Sequence, residues 1–400
     1  MVAAVQTAVQ CVKKLVEAQR SRRRGSAVIT EVDQGPQSEG PPFAKERAEW
    51  IEIAKGIGVT FVILVHSMIP DINPVTTHLS SFTIPIFFML TGLTYDNEKH
   101  RNHLGVLAKL RARQLLIPYF SLYLIMIVLF IPLSSYVDTY LTPDQVLFWL
   151  LYGNGPPNSA SHLWFLPVLY FGLMAFALVD KITYRLSRGF KWVALIILML
   201  AANTIWSIFR PVLIPWRFSS ILIAAAFVLI GNELRQSRGL KALASQSAAK
   251  NLAGILALTV AVLTLSQLNG FTDMAVDSYG ACVWLYLGAG TAGCLLVFQV
   301  SSLLHKSSAP GRGLFALGGV SQEAYEVHPV TFYLVPIVAT NLGLSLTSDP
   351  TVGSLLWLVR FLLGVILSYV LASRLIRKNS ILSLIFSGRS RSQDSTVPQR

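Results

Sequence analysis

A chain of 400 residues that is 53% hydrophobic and only 13% charged has too little polar surface for an ordinary soluble domain of its length. A formal net charge of +13 would suit nucleic acid if the cations formed a stripe with interleaved aromatics, but they fall between apolar blocks, so a lipid bilayer is implied and no nucleic-acid partner. Three cysteines without CxxC spacing exclude a disulfide framework.

Residues 1–45 hold a Lys/Arg cluster at positions 20–24 followed by Gly, Pro, Ser and Gln, and read as a basic, disordered cytosolic tail. Beyond it the chain becomes a series of apolar runs. Crossing a hydrocarbon core about 30 Å thick takes about 20 mostly apolar residues. Stretches that meet this lie near 53–71, 79–95, 115–133, 162–180, 192–209, 218–234, 251–268, 280–300, 314–340 and 352–373. The expected fold is therefore all-α, a polytopic membrane helix bundle of about ten transmembrane helices. It occupies 46–375, and a second basic cytosolic tail follows at 376–400.

The charges test this count, because Lys and Arg accumulate in cytoplasmic loops. The segments following the even-numbered spans are basic, as in "NEKHRNHLGVLAKLRAR" and "KITYRLSRGFK", whereas outward loops such as "QLNGFTDMAVDSYG" carry Asp and neither Lys nor Arg. Of the 33 Lys and Arg, only Arg210, Arg217 and Arg360 fall outside the cytosolic side. Both termini are expected in the cytosol, and the chain in a cytoplasmic (inner) or plasma membrane.

Ionisable groups inside a membrane are costly, so each is a functional candidate with a packing alternative. His66 stands eleven positions after Lys55, about three helical turns and about 16 Å of rise, so both project from roughly one face. A neutral imidazole suits a general base or a nucleophile; a hydrogen-bonded structural histidine is the alternative. Lys55 at the cytosolic mouth either faces an anionic ligand or snorkels to headgroups, and Glu52 one turn earlier is placed to pair with it.

In "SSFTIPIFFMLTG", Pro85 interrupts the helical ladder while Phe87, Phe88 and the Thr91-Gly92 pair offer aromatic bulk and a small surface, for a slot or for helix packing. In "KLRARQLLIPYF", Lys109, Arg111 and Arg113 suit phosphates, although topology alone also explains them. Trp164 in "SHLWFLPVLYFG" fits either a pocket or the interfacial aromatic belt. Glu323, Tyr325, Glu326 and His328 in "GGVSQEAYEVHPV" fall within an apolar span, a density of polar groups that lines a cavity or pairs internally. No GxxxxGK[ST], HExxH, GxSxG or EF-hand pattern occurs, and no metal is expected.

Taken in order, "RAEWIEIAKGIGVTFVILVH", "SFTIPIFFMLTG", "RARQLLIPYF", "HLWFLPVLYFG" and "GGVSQEAYEVHP" resemble the acyltransferase 3 family of integral-membrane O-acyltransferases, in particular its fucose 4-O-acetylase-like branch. The likeness runs from about 46 to 375. Glu52 stands where that family commonly has Asp, Thr83 where it often has His, and Thr91 where Ser is usual, while the Arg pair is RxR instead of RxxR.

The resemblance implies transfer of acetyl from acetyl-CoA, as co-substrate, to a hydroxyl of a glycan or lipid-linked sugar, alongside polysaccharide-assembly proteins. It implies His66, Glu52 and Lys55 as the catalytic group and Lys55, Arg111 and Arg113 as the donor-binding cations. Phe87, Phe88, Thr91, Trp164, Glu323, Tyr325 and His328 become the substrate pocket. A transporter or flippase of a polar solute or lipid-linked glycan is the alternative from another class.

Overall fold

The computed structural model describes residues 42–68, 72–133, 143–154, 161–237, 247–304, 308–329, 332 and 350–388. The N-terminal tail up to residue 41, most of the outward loop expected after the third span, and the last twelve residues lie outside the described residues. By internal contacts the chain divides into Met1–Lys45 and Glu46–Arg400, and the helical bundle belongs to the second unit.

The described residues are helical, with no strand among them beyond an isolated bridge between Asp273 and Ser278. In chain order the helices are α1 (Pro42–Met68), α2 (Pro74–Ser80), α3 (Pro85–Thr94), α4 (Asn97–Asn102), α5 (Leu104–Leu133), α6 (Pro143–Tyr152), α7 (Phe165–Thr183), α8 (Gly189–Phe209) and α9 (Phe218–Gln236). They continue with α10 (Ala248–Asn269), α11 (Val283–Leu303), α12 (Ala309–Gly319), α13 at 321–329, α14 (Pro350–Val370) and α15 (Ser380–Ser387).

Among the described residues, seven segments are long and apolar enough to cross a membrane: Glu49–Met68, His162–Thr183, Gly189–Phe209, Pro215–Gln236, Ala248–Asn269, Val283–Leu303 and Leu356–Ile376. Three further stretches expected to span take other forms. The one at 79–95 is broken where α2 ends and Pro85, which has no N–H to give, starts α3. That at 115–133 is the far part of the 30-residue α5. The third bends at Val320 (φ −113°, ψ 18°) between α12 and α13, and its residues 333–340 lie outside the described ones.

The burial pattern is that of a bundle in lipid. α9 is central: 78% of its apolar window is buried, against α3, α7 and α8. By contrast the windows of α8 and α10 are only 17% and 11% buried, and they turn Ile196, Ile197 and Leu200, and Leu252, Leu256 and Val260, outward. A water-soluble surface would carry charge at those positions; an acyl-chain environment accepts them.

Close backbone approach holds the centre together. Gly92 of α3 meets the Val228 carbonyl of α9, and Gly231 of α9 meets the Met89 carbonyl of α3, with no room at either for a Cβ. This reciprocal pair, flanked by Ala224, Ala225 and Ala226 at zero exposure, is the small-residue packing that brings membrane helices together when hydrophobicity cannot. Gly56 of α1 and Gly318 of α12 repeat the device against Leu314 and Glu52.

Local caps set the element ends that matter for the site. Asn73 and Thr76 form a reciprocal capping box at the start of α2, with Pro74 in the first turn. Ser308 caps α12 and Asn379 caps α15. The α15 segment, within the stretch read from sequence as a C-terminal tail, packs along α5, and Ser121 Oγ donates to the Ile385 carbonyl at 3.1 Å.

Candidate active site

Two cavities lie along α1, one reached by Lys55 in its middle and the other by His66 near its C-terminal end. The first, about 360 Å³, is lined by Lys55, Phe87, Thr91, Arg111, Glu323 and Arg377 among others. The second, about 380 Å³, is lined by His66, Thr83, Trp149, Trp164, Arg217 and Asp273 among others. Tyr325 lines both, so its ring belongs to the wall between them. Its hydroxyl donates to the His162 carbonyl at 2.5 Å, and its ring packs on Phe165 at 5.0 Å between centroids.

Three histidines surround that wall. His66 Nδ1 lies 2.7 Å from His328 Nε2, with the rings 3° from parallel. His328 Nδ1 lies 2.6 Å from the Tyr325 carbonyl, which can only accept. Nδ1 of His328 therefore carries a proton. In the neutral pair its Nε2 accepts, His66 Nδ1 donates, and the His66 lone pair is left on Nε2. His162 Nε2 donates to the Glu326 carbonyl at 3.0 Å, tying the 3₁₀ turn before α7 to α13.

The helix break at Val320 explains how α13 comes to supply so many of these groups. After α12 closes on α1 through Gly318, the chain restarts at Ser321 and points Glu323, Tyr325, Glu326 and His328 into the bundle, each no more than 3% exposed. Glu323 is paired with Arg377 at 3.1 Å, and Gln322 Nε2 donates to Glu326 Oε1 and to the Gln114 carbonyl, both at 3.0 Å. Ion pairing thus accounts for Glu323, as buried charge requires, whereas Glu326 has only the neutral Gln322 amide on Oε1 and its Oε2 has no hydrogen-bond partner among the described residues.

The cations of the first cavity come from three elements. Lys55 Nζ is 2.6 Å from Glu52 Oε1, and Arg111 Nη1 donates to Gln114 Oε1 at 3.0 Å. Arg377 joins them from the π-helical turn after α14. Arg113 does not line this cavity, and its carbonyl instead meets Gly388 beyond α15. A shared run of cations hides the distinction, since residues two apart on the helix α5 face different ways.

Of the aromatic candidates, Phe87 and Trp164 line the first and second cavities respectively. Phe88 is fully buried and stacks on Phe165 at 5.5 Å, so it packs the core behind the slot. Thr91 lines the first cavity and bonds back to the Phe87 carbonyl at 2.8 Å. Thr83 lines the second and bonds the Leu79 carbonyl at 2.6 Å.

Arg377, Gln322 and Phe165 enter the site without a sequence signal of their own, while Arg217 carried one as a cation on the wrong side of the charge pattern. Among the described residues no group of His, Cys, Asp and Glu is arranged to hold a metal ion. Cys294 is buried and Cys282 half-buried, and neither lines the Lys55 or the His66 cavity.

A protein-family profile described as an acyltransferase domain matches residues 48–373. No curated protein and no solved structure matches the chain.

Proposed function

The chain belongs to the acyltransferase 3 family, and on that footing we propose that it transfers acetyl from acetyl-CoA to a glycan hydroxyl, using His66 as the base. One observation carries this reading: the two cavities share the Tyr325 wall, with cations around one and the His66–His328 pair beside the other. A polyanionic donor and a polyhydroxylic acceptor need such different surroundings.

Lys55 and Arg111 suit the phosphates of the donor, and Phe87, Leu166 and Leu169 suit its slender apolar arm. Trp149 and Trp164 suit the faces of a sugar ring. In direct transfer, His66 Nε2 takes the acceptor hydroxyl proton as that oxygen attacks the thioester carbonyl. The C–S bond then breaks, and the thiolate leaves with the proton returned from His66. In the two-step alternative, Nε2 attacks the thioester, CoA leaves, and the acetyl-imidazole is cleaved by the acceptor hydroxyl. His328 holds the His66 ring in the tautomer either route needs.

A transporter would also place cavities at opposite ends of a bundle, but it has no use for a thioester. Purified protein in nanodiscs is therefore given radiolabelled acetyl-CoA with and without cell-surface glycan. Label should pass to the glycan with wild type and not with His66→Ala. Full transfer by a folded His66→Ala protein would sink the proposal. Label that stays on the protein when glycan is withheld selects the two-step route.

A further inference from the structure

Arg217 is the cation least explained by the transfer chemistry. It ends the turn Pro215–Arg217, and both Trp216 (φ 58°) and Arg217 (φ 51°) are left-handed, a conformation that side chains with a Cβ rarely adopt. Strain of this kind persists where surrounding structure enforces it, and it clusters at ligand sites. Here it delivers the guanidinium to the wall of the His66 cavity at 3% exposure. Trp164 lies beneath it, 5.5 Å from the ring centroid.

The guanidinium is not used up by the protein. Nη2 donates to the Asn154 carbonyl at 2.9 Å, but Nε and Nη1 have no hydrogen-bond partner among the described residues. Two carboxylates, Asp277 and Asp273, lie in the neighbourhood, and neither hydrogen-bonds to Arg217 Nε or Nη1, although Asp277 Oδ2 has no hydrogen-bond partner of its own among the described residues. Asp277 Oδ1 accepts from Ser220 at 2.7 Å and Tyr279 at 2.8 Å, and it lines a separate small cleft beside Arg210. Asp273 Oδ1 accepts from the Ala275 N–H at 2.8 Å, and burial pushes that carboxyl above its usual range, toward the neutral acid. Arg210, by contrast, stacks on Trp206 at 4.9 Å and does not line the His66 cavity.

A desolvated cation with open donors, in a cavity that also holds the reactive imidazole, is a receptor for an anionic oxygen group. We propose that Arg217 binds a carboxylate or phosphate of the acceptor, so that the glycan unit seated beside His66 is acidic. This rests on the reading of the His66 cavity as the acceptor site, and it adds a charge that hydroxyl chemistry alone does not require. Arg217 would fix the acceptor while Trp164 and Trp149 contact its ring. The anionic group has two sources: an acidic sugar within the glycan, or a phosphate that links the sugar to a carrier.

Equilibrium binding to the full-length protein in nanodiscs, without acyl donor, tests this with three probes: methyl glucuronide, glucose 1-phosphate and methyl glucoside. At least one acidic probe is expected to bind about tenfold more tightly than the glucoside, the gain of a charge-assisted contact. Preference for the glucuronide assigns the charge to the sugar, and preference for glucose 1-phosphate assigns it to the linkage. Arg217→Gln should erase the preference and leave glucoside binding within about twofold, Arg217→Lys should keep part of it, and His66→Ala should keep all of it.

If neither acidic probe outbinds the glucoside on the wild type, or if Arg217→Gln weakens all three alike, the proposal is overturned. Should Arg217→Gln fail to fold, Arg217→Lys decides: a reduced but retained preference for an acidic probe supports a charge contact, and equal loss on all probes rejects it. Because no acyl group is transferred, absence of acetyl transfer would count against the reading of the reaction and leave this result standing.

Discussion

His66 Nδ1 sits 2.7 Å from His328 Nε2, bringing together residues 262 positions apart in the chain. The bond is informative because the far nitrogen of His328 is committed to the Tyr325 carbonyl at 2.6 Å. A relay of fixed donors and acceptors therefore ends on His66 Nε2, the atom that would touch substrate in the proposed reaction, where His328 would act as a positioning residue. His66→Ala should abolish acetyl transfer. His328→Ala should lower kcat by about 10²-fold with little change in KM, the low end of what a positioned base contributes. His328→Gln, whose amide can accept from His66 and donate to Tyr325, should recover part of that loss. Single-turnover transfer rates check this, and a Gln variant no better than Ala would show that His328 serves packing alone.

Lys55 and Arg111 line the first cavity and Arg113 does not. Lys55→Gln and Arg111→Gln should each raise KM for acetyl-CoA by about tenfold, since one charge-assisted phosphate contact is worth about 1.4 kcal/mol or somewhat more. Arg113→Gln should leave KM within about twofold. Initial rates at several salt concentrations measure the effect, and each of the two sensitive variants should lose part of the salt dependence. Equal effects at Arg111 and Arg113 would mean that this turn of α5 acts through its overall charge.

Much of the bundle was legible in the sequence because apolar length and cation placement are local signals: α1, α7, α8, α9, α10 and α11 lie where hydropathy places them. Breaks were harder to read. Pro85 announces one, and the Gly318-Gly319 pair before Val320 is a helix-stop signal for the turn between α12 and α13, but that Gly318 also packs on Glu52 of α1 is not local. His66, Glu323 and His328 stand out as polar residues in apolar runs. Their pairings do not, since the His66–His328 bond, the Glu323–Arg377 pair and the place of Arg217 in the His66 cavity all depend on contacts between distant segments. Arg113 shows the reverse case, where a run of cations in the sequence extends past the residues that line the Lys55 cavity.

Gly92 and Gly231 each lie against a backbone carbonyl of the facing helix. A methyl group at either position forces α3 and α9 apart, and backbone, unlike a flexible side chain, has no easy way to yield. Gly92→Ala and Gly231→Ala should each destabilise the protein by about 1–3 kcal/mol or more, the usual cost of overpacking. The double variant should cost less than the sum, because one separation of the helices relieves both clashes. Thermal unfolding in detergent checks both statements; simple additivity would show that the two contacts are independent.

Asp180, at 1% exposure, receives Arg101 Nε at 3.2 Å and Nη2 at 3.1 Å, with Asn97 Nδ2 at 3.0 Å and Lys191 Nζ at 3.8 Å. Lys191 also reaches Glu233 at 2.8 Å, so one network ties α4, α7, α8 and α9 together. Asp180→Ala strands Arg101 with the network's charges unbalanced and should cost about 3–5 kcal/mol, whereas Asp180→Asn, which keeps one acceptor, should cost less. Urea titration of each variant measures the difference, and a loss below about 0.5 kcal/mol for Ala would mean that the network behaves like exposed ion pairs.

His100 of α4 packs on Tyr95 at 4.7 Å, and burial, followed by the Arg111 charge, lowers its pKa below the ordinary 6.5. The unfolded chain therefore takes up this proton at higher pH than the folded one does, so the stability associated with His100 is present above about 6.5 and is lost as pH falls through the lower folded-state value. Asp96 acts in the opposite sense, raising the His100 pKa, and offsets only part of this. His100→Gln removes the titrating group. Between pH 7.5 and 5.5 its melting temperature should fall by less than that of the wild type, as measured by thermal unfolding at fixed ionic strength. Parallel pH profiles would place the acid sensitivity elsewhere, and a steeper profile for the variant would reverse the sign assigned to this histidine.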